Sequence, residues 1–173
     1  DSQAKTIDLS SFDTSNVTDM SFMFDHSQAT SLDLSSFNTS KVTNMEGMFN
    51  RCSGLTSLDV SGFDTSSVTD LSNIFANCLS IKSLDLSSWN TSNVTNMSGM
   101  FNNDYYYSYD NKLASLDISH FNTSKVTNMN KMFNGCGRLT SLDVIHFDTS
   151  NVTNMGYMFG YCTNLTTIPQ LDT

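Results

Sequence analysis

Several residue types are scarce in this chain of 173 residues. It has one proline, one tryptophan, and only 8 Lys and Arg against 17 Asp and Glu, which gives a net charge of −9. Proteins that bind nucleic acid need basic residues against the phosphates, so this charge balance argues against nucleic acid as a partner. No apolar run approaches the roughly 18 residues of a membrane-spanning helix. We therefore expect no membrane insertion of this segment.

Residue combinations that support catalysis or metal binding are missing as well. No nucleophile, base and orienting group occur together, and no glycine-rich phosphate loop is present. The four cysteines form no C-x-x-C pair, which argues against a zinc site. We predict a protein that is not an enzyme and that has no cofactor.

The chain is built from one repeated unit. The dipeptide Met-Phe, once Ile-Phe, recurs six times, and a valine before it recurs at intervals of 25, 26, 26, 32 and 26 residues. Such a period predicts stacked coils that bury a shared core. We number the units coil 1 to coil 6 by these valines: Val17, Val42, Val68, Val94, Val126 and Val152. We expect residues 1–173 to form a single solenoid with a partial seventh unit and an insertion at 102–111, belonging to a longer surface protein.

Two patterns alternate within each coil. In residues 31–35 apolar Leu32 and Leu34 alternate with polar residues, which predicts a half-buried strand. Val42, Met45, Met48 and Phe49 follow the spacing of one helix face. The Thr-Ser pair before them, Thr39 and Ser40 in coil 2, suits a helix N-cap. The predicted fold is an α/β solenoid, with a short parallel sheet on one side and short helices on the other.

The repeat L-x-x-L-D-L, F-x-T-S-x-V-T-x-M and M-F-x-x-C resembles a known family across the whole chain. It is similar to the BspA-like leucine-rich repeat of about 25 residues found in bacterial surface proteins, with Leu55, Leu58 and Val60 matching the strand signature. The resemblance implies a leucine-rich-repeat-like, right-handed stack of coils. It also implies a secreted or cell-surface bacterial protein, an extracellular location and a role in adhesion, with no catalytic residue to carry over.

An aspartate occupies the middle of the predicted strand in every coil. These residues are Asp8, Asp33, Asp59, Asp85, Asp117 and Asp143, and we expect them to form an outward-facing column. Two charges 5 Å apart repel by about 3 kcal/mol at an effective dielectric of 20. We favour serine hydroxyls such as those of Ser35 and Ser61 as the compensating donors. The alternatives are cation binding by neighbouring carboxylates, for which the calcium signal is weak because no EF-hand or similar loop is present, and Lys or Arg side chains of a receptor.

The insertion in coil 4 holds four of the six tyrosines. Tyr105, Tyr106, Tyr107 and Tyr109 lie among Ser, Asn and Asp, a composition typical of binding loops. The alternative is a loop that folds over its own scaffold.

The cysteines form a repeat column three residues after the Phe of Met-Phe: Cys52, Cys78, Cys136 and Cys162. We favour buried free thiols. Disulfides between Cys52 and Cys78 and between Cys136 and Cys162 are the alternative in an extracellular setting.

Together these features predict a bacterial cell-surface adhesion module. The predicted contact residues are Asp33, Asp59, Asp85, Asp117 and Asp143, with the four tyrosines of the insertion, and the predicted partner is a host surface or matrix protein or a glycan. The alternative is a passive spacer that displays another domain. The sequence leaves the oligomeric state open.

Overall fold

Successive repeats lie in register, but they do so without regular secondary structure. The computed structural model describes residues 4–103 and 111–167, and within these ranges it contains no α-helix and no β-strand. Five isolated parallel bridges join one position of each coil to the next: Asp19 to Asn44, Asn44 to Asp70, Asp70 to Asn96, Asn96 to Asn128, and Asn128 to Asn154. The chain therefore forms a stack of coils made of turns. None of the described residues belongs to a helix that could cross a membrane.

The predicted α/β solenoid is wrong, first in its helices. In a helix the N–H of Phe49 would donate to the carbonyl of Met45, four residues earlier. Instead the N–H groups of Met45, Gly47 and Phe49 donate to carbonyls of coil 3 at 3.0, 2.8 and 3.0 Å. The apolar residues are spaced as in a helix, yet their backbone pairs between coils.

Left-handed residues explain why no helix forms. Gly47 has φ of 56° and Arg51 has φ of 57°, and such residues end an α-helix because it requires negative φ. Each is the third residue of a four-residue turn. The N–H of Met48 donates to Met45 O around Gly47, and that of Cys52 donates to Phe49 O around Arg51. The same two positions recur with positive φ in other coils, at Phe22, His26, Asn73, Asn77, Gly99, Lys131, Gly135, Tyr157 and Tyr161.

The predicted parallel sheet is wrong for a different reason. Leu32 and Leu34 are buried and Asp33 is exposed, as the alternation predicts. However, the N–H of Ser35 donates to Oδ1 of Asp33 at 3.0 Å. This local side-chain bond occupies a donor that a sheet ladder would need, so the segment stays extended without pairing as a strand.

The threonine predicted to cap a helix joins adjacent coils instead. Buried Thr39 accepts the N–H of Asp64 at its Oγ1 at 2.8 Å and donates the hydroxyl to the Asp64 carbonyl at 3.0 Å. Thr14, Thr65 and Thr91 bond in the same two ways to Asn38, Asn90 and Asn122. The threonine that recurs in all six units therefore has a structural role between coils.

The core is a continuous stack of side chains. The Phe rings of Met-Phe lie nearly parallel from coil to coil, with centroids of Phe24 and Phe49 5.7 Å apart and those of Phe49 and Phe75 5.9 Å apart. Most of the ten methionines pack beside them, as expected: Met20, Met45, Met48, Met97, Met100, Met129, Met132 and Met158 are buried. Stacking in register thus places every repeated residue in a row.

Candidate functional site

The six strand-position aspartates lie on one exposed surface, which we call the Asp face: Asp8, Asp33, Asp59, Asp85, Asp117 and Asp143. Each begins the same small turn, in which its Oδ1 accepts the N–H of the residue two positions later. The distance is 3.0 Å for Asp33 and Asp59 and 3.1 Å for Asp143. These turns fix the carboxylates in one orientation in successive coils.

Serine hydroxyls add a second bond to most of these carboxylates. Ser35 and Ser61 donate through Oγ to the Oδ1 atoms of Asp33 and Asp59 at 2.7 and 2.6 Å. These hydroxyl bonds are the main reason that the pKa values of Asp33 and Asp59 are lowered, followed by the backbone bonds of the same serines. The neighbouring charge of Asp85 opposes this for Asp59. The serines therefore favour the charged forms of Asp33 and Asp59.

Two further columns contain the same turn, but in them the first residue of the turn is Asp in some coils and Asn in others. One consists of Asp13, Asn38, Asp64, Asn90, Asn122 and Asp148, and the other of Asp19, Asn44, Asp70, Asn96, Asn128 and Asn154. Oδ1 of Asn38 accepts the Ser40 N–H at 3.1 Å and its hydroxyl at 2.8 Å, the same bonds that Asp33 accepts from Ser35. The turn itself does not require a carboxylate. Its geometry leaves the uniform charge of the Asp face unexplained.

A groove of about 310 Å³ opens on this face between coils 2 and 3. Asp33 and Asp59 line it, with Phe37 and Phe63. It lies at Gly62, where a Cβ would meet nothing within 4 Å. Other coils carry a side chain at this position: Ser11, Ser36, Ser88, His120 and His146. The only sequence signal of this groove is one glycine in a column of larger residues, and no groove was predicted there.

The second predicted contact region cannot be placed. Tyr105, Tyr106, Tyr107 and Tyr109 lie outside the described residues. The residues on either side of them, Asn103 and Asn111, are buried in the coil stack. The insertion therefore begins and ends at fixed points of the scaffold.

The cysteine column is part of the core. All four thiols are free, and Cys52, Cys78 and Cys136 are buried as predicted, while Cys162 is partly exposed. The Sγ of Cys52 lies 3.0 Å from the carbonyl oxygen of Phe24 in the preceding coil. Burial raises the pKa of Cys52 to about 12 and that of Cys162 to about 11. A thiol needs deprotonation to react, so these groups serve packing.

Within the described ranges, no three His, Cys, Asp or Glu residues are arranged to hold a metal ion. His120 approaches the Leu86 carbonyl through Nε2 at 3.0 Å, so this imidazole is used to join coils 4 and 5.

The comparison with protein families gives one match. A family model described as "Mycoplasma protein of unknown function, DUF285" matches residues 1–112 and again residues 85–172. No curated protein and no solved structure matches the chain. The two overlapping matches together span nearly all of the repeats.

Proposed function

We propose a function for a chain that belongs to the family described as Mycoplasma protein of unknown function, DUF285: it is a non-enzymatic binding module of the bacterial cell surface. It contacts a host surface or matrix protein, or a glycan, through the Asp face. The resemblance of its repeat to BspA-like leucine-rich repeats of secreted and wall-anchored adhesins supports this proposal.

The uniform charge of the Asp face is the observation that carries it. All six coils have Asp at this position, while each of the other two turn columns contains both Asp and Asn. Asn38 makes the same turn as Asp33, so replacing the aspartates would retain the turn and relieve repulsion between neighbouring charges. Since asparagine makes the same turn in the neighbouring columns, the fold does not require a carboxylate at this position in all six coils, and the uniform charge is best explained by a partner.

The chemistry of the face suits a partner rich in hydrogen-bond donors. Oδ1 of Asp33 and of Asp59 is occupied by a serine, while Oδ2 of each has no partner among the described residues. Lys and Arg side chains and sugar hydroxyls all donate to a carboxylate oxygen. The row of equally oriented acceptors favours a partner that makes several such contacts at once.

A matched pair of triple variants tests the proposal. Asp33→Asn, Asp59→Asn and Asp85→Asn together remove three charges from the Asp face, while Asp13→Asn, Asp64→Asn and Asp148→Asn remove three from another exposed column with the same turn. Both should fold, because asparagine already forms this turn. We expect attachment to immobilised matrix proteins or mucin glycans to fall at least about tenfold for the first variant only.

The alternative function is a passive spacer. It predicts no attachment by the wild-type protein, or equal attachment by both triple variants, and either result would overturn the adhesion proposal. Changing Tyr105, Tyr106, Tyr107 and Tyr109 to Ser in the same assay tests the insertion separately. Unchanged attachment would remove that loop from the proposed contact surface.

A calcium-dependent form of the proposal is tested by melting. A ligand that binds only the folded protein raises the melting temperature. If Ca²⁺ bridges the Asp face, a titration to millimolar concentrations raises the melting temperature of the wild type more than that of the Asp33, Asp59 and Asp85 variant. If the melting temperature of neither protein changes, the calcium-dependent form of the proposal is excluded, and direct contact between the Asp face and the partner remains.

A further inference from the structure

One backbone carbonyl of each coil is a junction between neighbouring coils. It belongs to the residue after the Asp-face aspartate, and it accepts the N–H three residues later, as Leu34 O accepts that of Phe37 at 3.0 Å. At three of the five steps between coils, a side chain of the next coil donates to this carbonyl as well. These bonds are Ser36 Oγ to Leu9 O at 3.2 Å, Trp89 Nε1 to Val60 O at 3.3 Å and His120 Nε2 to Leu86 O at 3.0 Å. The carbonyl therefore has room for a second donor.

The step from coil 2 to coil 3 lacks this second donor, because Gly62 occupies the position from which Ser36 and His120 reach their carbonyls. The Leu34 carbonyl accepts no side chain of the described residues. At the step from coil 5 to coil 6 this carbonyl has no side-chain donor either, but the position carries the side chain of His146. Among the described coils, the open carbonyl and the missing side chain coincide at Gly62 alone.

Leu34 lines the groove of about 310 Å³ that opens between these two coils. This volume is at the lower end of the range of about 300 to 1,000 Å³ for ligand pockets, so the groove suits a single side chain. Its lining includes the rings of Phe37 and Phe63 and the carboxylates of Asp33 and Asp59. The groove thus combines an apolar wall, an open backbone acceptor and two negative charges.

We propose that this groove binds the guanidinium group of an arginine side chain from a partner protein, an inference that rests on the proposed function and names the partner's chemistry at one place on the Asp face. A guanidinium has five N–H donors in one plane, so it can donate to the Leu34 carbonyl and to Oδ2 of Asp33 and of Asp59. Its charge complements the two carboxylates. Its weakly hydrated plane packs against aromatic rings such as those of Phe37 and Phe63.

Lysine and sugars match the groove less completely. The ammonium group of lysine is a compact, strongly hydrated charge whose three donors all belong to one nitrogen. It satisfies a carboxylate but does not span from the carboxylates to the Leu34 carbonyl. A sugar hydroxyl carries no charge to balance Asp33 and Asp59. The groove therefore favours arginine by the arrangement of its acceptors as well as by charge.

Gly62→Ser closes the groove without changing the charge of the Asp face. Serine occupies this position in coils 1, 2 and 4, and a Cβ at Gly62 meets nothing within 4 Å, so the variant should fold. Its hydroxyl should donate to the Leu34 carbonyl as that of Ser36 donates to the Leu9 carbonyl. Circular dichroism and melting check the fold.

The triple variant Asp13→Asn, Asp64→Asn and Asp148→Asn is the control. It removes three charges from another column and leaves the residues that line the groove unchanged. General attraction between an acidic protein and a cationic probe would be weakened by this control and not by Gly62→Ser.

An NMR titration of the isotope-labelled whole chain measures binding through the amides of Phe37 and Phe63, which are present in every variant. The probe is an acetylated pentapeptide amide with arginine between two pairs of glycines, and matched probes carry citrulline or lysine instead. We expect saturable shifts with the arginine peptide, and dissociation constants at least about tenfold higher for the other two peptides. Gly62→Ser should raise the dissociation constant of the arginine peptide at least about tenfold, while the control should not.

Several results would overturn the inference. They are no saturable shift with the arginine peptide, equal binding of the citrulline or lysine peptide, or unchanged binding by Gly62→Ser. A mucin oligosaccharide that binds these amides more tightly than the arginine peptide would also overturn it, by assigning the groove to a glycan.

Failure of the groove and failure of the proposed function give different results. Attachment to matrix protein that depends on Asp33, Asp59 and Asp85 but is unchanged in Gly62→Ser would overturn the arginine groove and leave adhesion through the Asp face standing. Arginine-specific binding in the groove by a protein that attaches to no host component would support the groove and overturn the adhesion proposal.

Discussion

The hydroxyl of Thr39 bonds to both backbone groups of Asp64 in the next coil, accepting its N–H and donating to its carbonyl. Thr39→Val keeps the shape of the side chain but leaves those groups without this partner. We expect the free energy of unfolding to fall by about 1 to 3 kcal/mol, measured by urea denaturation. Thr43→Val is the control, because exposed Thr43 makes one hydroxyl bond, to a carbonyl that keeps its N–H donor. Equal losses would contradict the coupling role.

Gly135 lies at a close approach between coils. Its φ is +75°, and a Cβ there would collide with the backbone carbonyl oxygen of Asn103. We expect Gly135→Ala to lower the free energy of unfolding by more than the roughly 1 to 2 kcal/mol of a left-handed alanine alone. Gly62→Ala, where a Cβ meets nothing, should change it by less than about 0.5 kcal/mol. The two melting temperatures measure this difference, and similar values would refute the close approach.

Because the phenylalanine rings stack in the core, removing a buried ring should lower the free energy of unfolding far more than removing an exposed one. Phe49 is fully buried between the rings of Phe24 and Phe75. Phe49→Ala should lower the free energy of unfolding by roughly 3 to 5 kcal/mol. Phe12→Ala should cost far less, since Phe12 is largely exposed. Guanidinium denaturation compares the two, and a small effect at Phe49 would argue against the aromatic stack.

The aspartate carboxylates make the stability of the fold depend on pH. Nine aspartates have pKa values lowered from 3.8 by turn bonds: Asp8, Asp13, Asp19, Asp33, Asp59, Asp64, Asp85, Asp117 and Asp148. A group whose folded pKa is below its unfolded pKa stabilises the fold above the unfolded value, and this is lost as the pH falls through the folded pKa. Partly buried Glu46, whose pKa is raised mainly by desolvation, acts in the opposite sense.

The melting temperature should therefore be nearly constant from about pH 7 to pH 5 and should fall below about pH 4. Ser35→Ala with Ser61→Ala removes two of the hydroxyl bonds and should flatten the fall. A melting temperature that rises on acidification would mean that repulsion across the Asp face outweighs the turn bonds.

Thiol labelling tests the cysteine column. Cys52, Cys78 and Cys136 are buried and Cys162 is partly exposed, so the folded protein should label first at Cys162 and slowly elsewhere. Unfolding in denaturant should release all four thiols for labelling. Recovery of a Cys52–Cys78 disulfide by mass spectrometry of protein prepared without reductant would contradict the free column.

The sequence predicts the repeat, the register of the coils and the buried side of each coil, but not the backbone conformation of each coil. Leu32, Leu34, Met45 and Phe49 are buried as their spacing predicts. Apolar spacing reports which residues face the core, and a chain of turns can satisfy the same spacing as a helix. The helix prediction failed because Gly47 and its counterparts adopt positive φ. Glycine and asparagine at that position, in Gly47, Asn73 and Gly99, were the available signal.

The strand prediction failed through turn chemistry. Asp33 satisfies the Ser35 N–H locally, which the sequence allows but does not require. At the candidate site, the sequence identified the Asp face and its serine donors. It could not show that Asn38 makes the same turn as Asp33, because that comparison needs the bonds themselves. The groove at Gly62 likewise depends on how coils 2 and 3 meet.

The stack of turns is tested most directly by one NMR coupling, measured across the hydrogen bond of the Phe49 amide. The structure predicts a coupling from Phe49 N to the carbonyl carbon of Ile74 in the next coil, where the N···O distance is 3.0 Å. A coupling to the carbonyl of Met45 instead would show a helix in each repeat and would contradict the account of how the coils are joined.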